Sequence, residues 1–224
     1  MHYGKILSLT IAALVWLATI PVHLQAYDAR VDEIIGNPTV SYQKAFGVDT
    51  TPEIWNRVLD NLYLMGRLWE IYRFQPAYQV TRTDSDLHVV DPTGIIGDVK
   101  QVGRSELSRC FYGQGKFNHW AVPSFFTADG VILFEYTAEG NRLLGEVKIF
   151  MLGNNWLSRV AMKLFPGTLI RHIDNRFMNN MEDMKKIIRD IADDPDKVRN
   201  GLAGPLRDDF NKAFPATEIK PAEE

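Results

Sequence analysis

The sequence of 224 residues has a single cysteine, Cys110, and no excess of basic residues. One cysteine cannot form a disulfide within the chain, so packing alone must hold the fold together. Lys and Arg total 25 against 28 for Asp and Glu, which gives a net charge of −3. Because no global basic field is present to hold a phosphate backbone, we expect no nucleic-acid partner.

Motifs for catalysis and metal binding are also scarce. The sequence has no Gly-x-Ser-x-Gly segment, and GQGKF at 113–117 has neither the glycine spacing nor the Ser or Thr after Lys of a phosphate-binding loop. Two glycines in a strand predict instead a bend or a bulge where the sheet curls. His88 has no partner His or carboxylate at ligand spacing, and His172 and Asp174 point to different helix faces. We therefore expect neither a metal nor a cofactor.

Cys110 is followed by His119 and Asp129, which raises the question of a nucleophile with its base. A nucleophilic cysteine needs a helix N-terminus or a cation to lower its pKa, and a strand offers no such helix. If 106–117 is one regular strand, Arg109 points to the face opposite Cys110. We expect a structural cysteine, and we expect His119 to cap a turn rather than to orient a ligand.

The N-terminus has the order of a secretory signal peptide at residues 1–26. A short basic start, MHYGK, precedes the apolar run ILSLTIAALVWLATI and the polar stretch PVHLQA. For cleavage after Ala26, Leu24 occupies the −3 position, where it is bulkier than the small residue that cleavage prefers. The run from Ile6 to Leu24 is also long enough to span a bilayer. An uncleaved anchor is therefore the alternative, and both interpretations place the protein in the periplasm or cell envelope.

For residues 39–152 the sequence pattern predicts one strand, a helical region and a β meander. Residues 39–48 alternate as a strand, and Thr50 or Thr51 can cap a helical region over 52–72, as one long helix or two short ones. Six short β runs then follow between turn residues. These runs are 78–83, 87–90, 95–102, 106–117, 131–137 and 142–152.

The C-terminal half is predicted to be helical. Asn155 can cap a segment over 156–165, which Pro166 and Gly167 interrupt before an amphipathic helix over 168–192. The apolar positions of this long helix recur at three and four residues. They are Leu169, Ile170, Ile173, Phe177, Met181, Met184, Ile188 and Ile191. The charged, proline-containing residues 193–224 are expected to be peripheral or disordered, which leaves one domain over 27–192.

This order of elements resembles the START-like, helix-grip superfamily of lipid-transfer domains, pollen-allergen proteins and polyketide cyclases. The stretch VSYQKAFGVDTTPEIWNRVLDN is similar to the superfamily's opening strand, turn and Pro-containing helix start, and Trp69 and PAYQVTR follow where that pattern continues. The resemblance covers about 39–192. It implies an α+β fold in which a curved antiparallel sheet of about seven strands surrounds a long C-terminal helix.

The resemblance also implies a cavity between sheet and helix that holds a hydrophobic small molecule such as a lipid. The side chains expected to contact this ligand come from the helix and the cavity wall. They are Trp69, Phe111, Phe134, Ile173, Phe177, Met181 and Met184. The alternative for the Met residues is that they simply fill the core.

Two other functions remain open at this stage. A cyclase or hydratase would use polar groups in the same cavity, and the available candidates are Arg109, Tyr112, Glu135, Tyr136 and Glu146. A structural envelope module would need no cavity at all. Residues 156–192 carry a net charge of +3, so this region either approaches an anionic membrane surface or forms a solvated face.

Overall fold

The computed structural model describes residues 29–83, 86–92, 94–117 and 126–215. The predicted signal peptide or anchor at 1–26, and His119, therefore lie outside the described residues. Among the described residues, no helix combines the length and the hydropathy needed to cross a bilayer.

The described chain alternates helices and strands in one α+β unit. The strands are β1 Val40–Asp49, β2 Gln79–Arg82, β3 Leu87–Val90, β4 Ile95–Ser105, β5 Ser108–Phe117, β6 Thr127–Glu139 and β7 Arg142–Gly153. The helices are α1 Ala29–Gly36, α2 Pro52–Leu59, α3 Leu62–Ile71, α4 Trp156–Leu164, α5 Pro166–Asp193, α6 Pro195–Asn200 and α7 Pro205–Ala213.

The strands form one curved antiparallel sheet in the order β1-β7-β6-β5-β4-β3-β2. Strands β2 to β7 are a meander of sequential neighbours, and β1 adds to the free edge of β7. The predicted β6–β7 hairpin closes at the Glu139–Arg142 pair, where Gly140 has a φ of 63° that favours glycine. With the long helix α5 after the strands, the sheet has the helix-grip architecture, and this fold prediction is confirmed.

The β-bulge lies in β4 and not at the glycines of β5. The β4–β5 register shifts between Gln101 and Gly103. Gly113 and Gly115 instead pair regularly with their neighbours on β4 and β6. Of the two alternatives expected at 113–117, a bend or a bulge, the bulge was therefore wrong, because a glycine permits a bulge but does not require one.

The predicted helical region after β1 is two short helices. The Thr51 side chain accepts a hydrogen bond from the Ile54 N–H, and Pro52 and Glu53 occupy the first turn of α2. Asp60 ends α2, and α3 starts at Leu62. This break turns α3 so that it packs on β2 and the inner face of the sheet.

Each face of the sheet has its own apolar cluster. The larger cluster lies on the inner face and joins α2, α3, α5, α6 and α7. The smaller cluster lies on the outer face, where Val31 and Ile34 of α1 cover Cys110, Tyr112 and Val131. Helix α1 was not predicted from the sequence, because its eight residues make only about two helical turns.

The residues after Asp193 correct a prediction. Through Pro215 they are not peripheral but form α6 and α7, and Phe210 and Phe214 are fully buried in the inner cluster. The charged residues of this segment face solvent while two aromatic rings face inward. The long helix α5 also starts two residues earlier than predicted, because Pro166 is compatible with the first turn of a helix.

Candidate functional site

One face of the long helix α5 is packed in the core near the C-terminal end and lines a cavity near the N-terminal end. Near its C-terminal end, Ile187, Ile188 and Ile191 are fully buried in the inner cluster. Nearer its N-terminal end, the same face looks onto a cavity. The residues of α5 that line the cavity follow helical spacing from one turn to the next. They are His172, Ile173, Arg176, Phe177, Asn180, Met181 and Met184.

The opposite wall of the cavity comes from the inner face of the sheet. Ile132 pairs with Ile149 and Phe134 pairs with Val147 across β6 and β7, so four apolar side chains form one patch. Residues two apart on a strand share a face, which is why these four point the same way. The cavity has a volume of about 350 Å³ and is partly open to solvent.

Aromatic rings of the inner cluster pack against Phe177 on one side of the cavity and Phe134 on the other. The Phe177 ring lies 6.4 Å from Tyr42 and 6.4 Å from Phe46, and the Phe134 ring lies 6.0 Å from Phe46 and 6.1 Å from Trp55. Edge-to-face contacts of this kind fix ring orientation. The apolar part of the cavity is therefore bounded by packed side chains rather than by loops.

One end of the cavity is polar. Arg176 donates to both carboxylate oxygens of Asp91 at 2.7 Å, and Asp91 is only 6% exposed. Beside this pair, Tyr78 and Asn180 are hydrogen-bonded at about 3.0 Å through the phenol oxygen and the amide. Burial raises the pKa of Tyr78, so its phenol stays protonated. This end can give and accept hydrogen bonds.

The cavity reaches solvent at the same side. Its lining residues Ile95, at 40% exposure, and His172 are both on the surface, whereas Met181 in the interior is 3% exposed. An apolar molecule could enter past Ile95 and come to rest against Met181 and Phe134.

The structure brings together five of the seven side chains that were expected to contact a ligand. Phe134, Ile173, Phe177, Met181 and Met184 all line the cavity. Met178 of the same helix is 38% exposed and does not line the cavity.

Trp69 and Phe111 do not line the cavity. Trp69 is buried against Phe74, with ring centroids 5.3 Å apart, and Phe111 is buried with its ring 6.3 Å from that of Phe134.

The polar end of the cavity was not predicted from the sequence. Arg176 and Asn180 lie three residues after Ile173 and Phe177, so the helical spacing was a signal that could have identified both.

Cys110 lies in a buried, apolar environment. It is 1% exposed in the outer-face cluster, and burial raises its pKa to about 12. Arg109 points to the other face and forms a bidentate pair with Asp60, at 2.6 Å and 3.0 Å. A neutral, enclosed thiol without a neighbouring cation is a poor nucleophile.

The residues considered for acid–base chemistry lie in three separate places. Tyr112 is on the outer face, where it donates to Asp129. Glu135 and Glu146 both pair with Lys148 and are partly exposed. Arg109 donates to the Tyr136 hydroxyl, which in turn donates to the Asn56 side chain, elsewhere on the inner face. None of these five residues lines the cavity.

His88 has a partner that the sequence did not reveal. Its Nδ1 lies 2.7 Å from Oδ1 of Asp98, because the two residues are directly opposite in the β3–β4 ladder. Spacing along the sequence did not indicate this pair, since strand register brings together residues that are ten apart. Among the described residues, no three His, Cys, Asp or Glu side chains are grouped in a way that could hold a metal ion.

Comparison with known proteins identifies a fold but not a family. No family model and no curated protein matches the chain. A conserved protein from Geobacillus kaustophilus is similar in structure, with a TM-score of 0.51 and 7% identity over 68% of this chain and 97% of that one. Ara h 8.0201 matches with a TM-score of 0.45 and 5% identity over 66% and 96% of the two chains. CalU16 from Micromonospora echinospora matches with a TM-score of 0.35 and 12% identity over 79% and 86%.

At these identities a structural likeness shows the fold alone. The chain therefore shares its overall fold with the Geobacillus kaustophilus protein, whose sequence is very different.

Proposed function

We propose that the protein binds, and carries, one hydrophobic small molecule of lipid-like character in the cavity between the sheet and α5. The observation that supports this most directly is the contrast along α5. Its inner face is fully packed at Ile187 and Ile188 but leaves about 350 Å³ between Phe177, Met181 and the sheet. A filled-core module would not need this space.

The cavity volume limits the size of the ligand. At roughly 30 Å³ for each water-sized group, 350 Å³ holds on the order of a dozen non-hydrogen atoms. This volume lies at the small end of the range for ligand pockets. A single short chain or a small ring system fits, whereas a two-chain phospholipid would leave most of its atoms outside.

The polar end favours a ligand with an uncharged polar group. Asp91 offsets the charge of Arg176, and Tyr78 and Asn180 offer a phenol and an amide. A hydroxyl or carbonyl group can replace hydrogen bonds here without leaving a buried charge unpaired. We therefore expect alcohols or ketones to bind more tightly than fatty acids of the same length.

Binding accounts for the cavity better than catalysis does. A cyclase or hydratase needs acid and base groups within hydrogen-bond reach of the substrate. Glu135, Glu146 and Tyr136 were the residues whose clustering would have supported this alternative, and they lie outside the cavity. The cavity's own polar side chains are largely engaged with one another.

We also propose that the protein is exported to the periplasm or cell envelope. This rests on the sequence pattern at 1–26 and on the run 6–24, either as a cleaved signal or as an anchor. Fractionation of the source cells followed by N-terminal sequencing would test it. Recovery of an uncleaved protein in the cytoplasm would contradict export.

Thermal unfolding with a homologous series of straight-chain alcohols tests the binding proposal. A ligand that binds only the folded state raises Tm, so Tm should rise with chain length until the cavity is full and then level off. Ile149→Trp places a large side chain in the cavity and should abolish this response. Phe150→Trp is the matched control, because Phe150 lies next on β7 but packs on the outer face.

The same assay can reject the proposal. An equal rise of Tm in the wild type and Ile149→Trp would place the binding elsewhere on the surface. The absence of any rise across the series, with both variants folded, would contradict a cavity for apolar chains.

A further inference from the structure

Helix α4 has its apolar side on the outside. Trp156, Val160 and Leu164 follow each other at a spacing of four residues and form one stripe, which is 70%, 44% and 67% exposed. On the opposite side of the helix, Ser158 and Met162 are buried at 0% and 2%. A helix of a soluble domain is usually oriented the other way round.

This orientation is fixed by specific contacts. The Asn155 side chain caps α4 by accepting from the Ser158 N–H at 2.8 Å, and Ser158 Oγ accepts from the Thr127 N–H at 3.2 Å. Arg159 Nε donates to the Gly153 carbonyl at 2.7 Å. The cap fixes the start of α4, and the other two contacts hold its buried side against the ends of β6 and β7 and keep the apolar stripe outward.

Basic residues border the stripe. From 156 to 171 the chain contains Arg159, Lys163 and Arg171 and no Asp or Glu, and all three basic residues are exposed. Arg159 and Lys163 lie on the helix beside the Trp156 edge of the stripe. Phe165, at 66% exposure, extends the apolar surface at the end of the helix.

We propose that α4 and Phe165 dock on the surface of an anionic lipid bilayer. An exposed apolar stripe with Lys and Arg along its edge is typical of helices that lie in a membrane interface, and Trp favours the headgroup level. The basic residues would contact lipid headgroups while the stripe enters the boundary of the acyl chains. A protein partner is favoured less, because Lys is depleted in the core of protein interfaces.

Docking at α4 would place the open end of the cavity at the bilayer. His172 follows Phe165 by seven residues, about 11 Å along α5. An apolar ligand could then pass between bilayer and cavity past Ile95 and His172. This last consequence rests on the proposed function, whereas the docking itself does not.

A fluorescent label on α4 tests the docking in the full-length chain. The variant Val160→Cys can be labelled with nitrobenzoxadiazole, because the native Cys110 is 1% exposed and its pKa is raised to about 12. The matched control is Glu139→Cys, at the exposed tip of the β6–β7 hairpin and about 40 Å along β6 from α4. On phosphatidylcholine vesicles with about 30% phosphatidylglycerol, the label at 160 should brighten several-fold and shift to the blue, and the label at 139 should not.

Removing two basic side chains tests whether their charge contributes to vesicle binding. Lys163→Gln with Arg171→Gln, in the labelled chain, should weaken the apparent partition to these vesicles by about tenfold or more. The apolar run 6–24 is present in every variant, so its own contribution to vesicle binding is the same in all of them. A label at 160 that emits alike in buffer and on vesicles would overturn the proposal, as would one that already emits in the blue in buffer because protein covers the stripe. No cavity ligand is involved, so this outcome would leave the ligand proposal intact.

Discussion

At the scale of the residue, the neutral thiol of Cys110 makes a pH-dependent contribution to stability. Burial raises its pKa from the ordinary 9.0 to about 12, so the folded state keeps a proton that the unfolded state releases above pH 9. The stabilisation is fully present below pH 9 and is lost as the pH rises towards 12. In this window the free energy of unfolding falls by about 1.4 kcal/mol per pH unit for this group.

The variant Cys110→Ala isolates this effect. It should be less stable than the wild type by about 1 kcal/mol at pH 7, and the difference should shrink and then reverse above pH 9. Urea unfolding of both proteins at pH 7 and pH 10 measures it. A difference that is the same at both pH values would contradict a buried, isolated thiol.

The pair of Arg109 and Asp60 links β5 to the end of α2. Arg109 is 5% exposed, so Asp60→Ala leaves a buried guanidinium with only uncharged acceptors, namely the Ser105 and Ser108 carbonyls and the Tyr136 hydroxyl. We expect this variant to lose about 3 kcal/mol of unfolding free energy.

The control for this prediction is an ion pair that is more exposed to solvent. Glu135 and Lys148 lie 2.6 Å apart but are 41% and 31% exposed, and Glu135→Ala should cost less than about 1 kcal/mol. Chemical denaturation compares the two variants. Equal losses would mean that burial does not set the strength of these pairs.

These residue contacts also show where sequence reasoning ends. The alternation of β5 correctly predicted that Cys110 and Arg109 lie on opposite faces, because strand period is local. The partners Asp60 and Asp98 were not predictable, since they depend on register and on how a helix end meets a strand. The ion pair of Asp91 and Arg176 at the polar end of the cavity was not predictable for the same reason, since the fold brings together residues that are far apart in the sequence.

At the scale of the element, α7 contributes to the inner core. Phe210 is fully buried and its ring lies 5.1 Å from Phe214. Phe210→Ala should therefore lower the unfolding free energy by about 3–5 kcal/mol. Lys212→Ala, on the exposed side of the same helix, should change it by less than about 0.5 kcal/mol.

Thermal or urea unfolding of both α7 variants measures the contrast. Native-like stability of Phe210→Ala would mean that residues after 193 are dispensable, as the sequence first indicated. The expectation that these residues are peripheral or disordered was wrong for a physical reason. Charge and proline content suggested weak structure, but two aromatic residues four apart suffice to dock a short helix on an existing core.

At the scale of the whole molecule, the order of elements was the most predictable feature. Local periodicity identified β1, the meander and α5, because each is long enough to repeat its pattern. The curvature and closure of the sheet on α5 followed from resemblance rather than from any local pattern. The cavity itself could be predicted only as a consequence of that fold, and its volume depends on side chains from several distant strands.

The central claim is that the folded protein encloses one apolar molecule between its sheet and α5. Native mass spectrometry of the protein purified from its own cells, followed by organic extraction, tests it most directly. We expect a bound non-covalent mass corresponding to one small apolar molecule, present in Phe150→Trp and absent from Ile149→Trp. A protein that shows only its own mass, and that takes up no straight-chain alcohol on incubation, would contradict the claim.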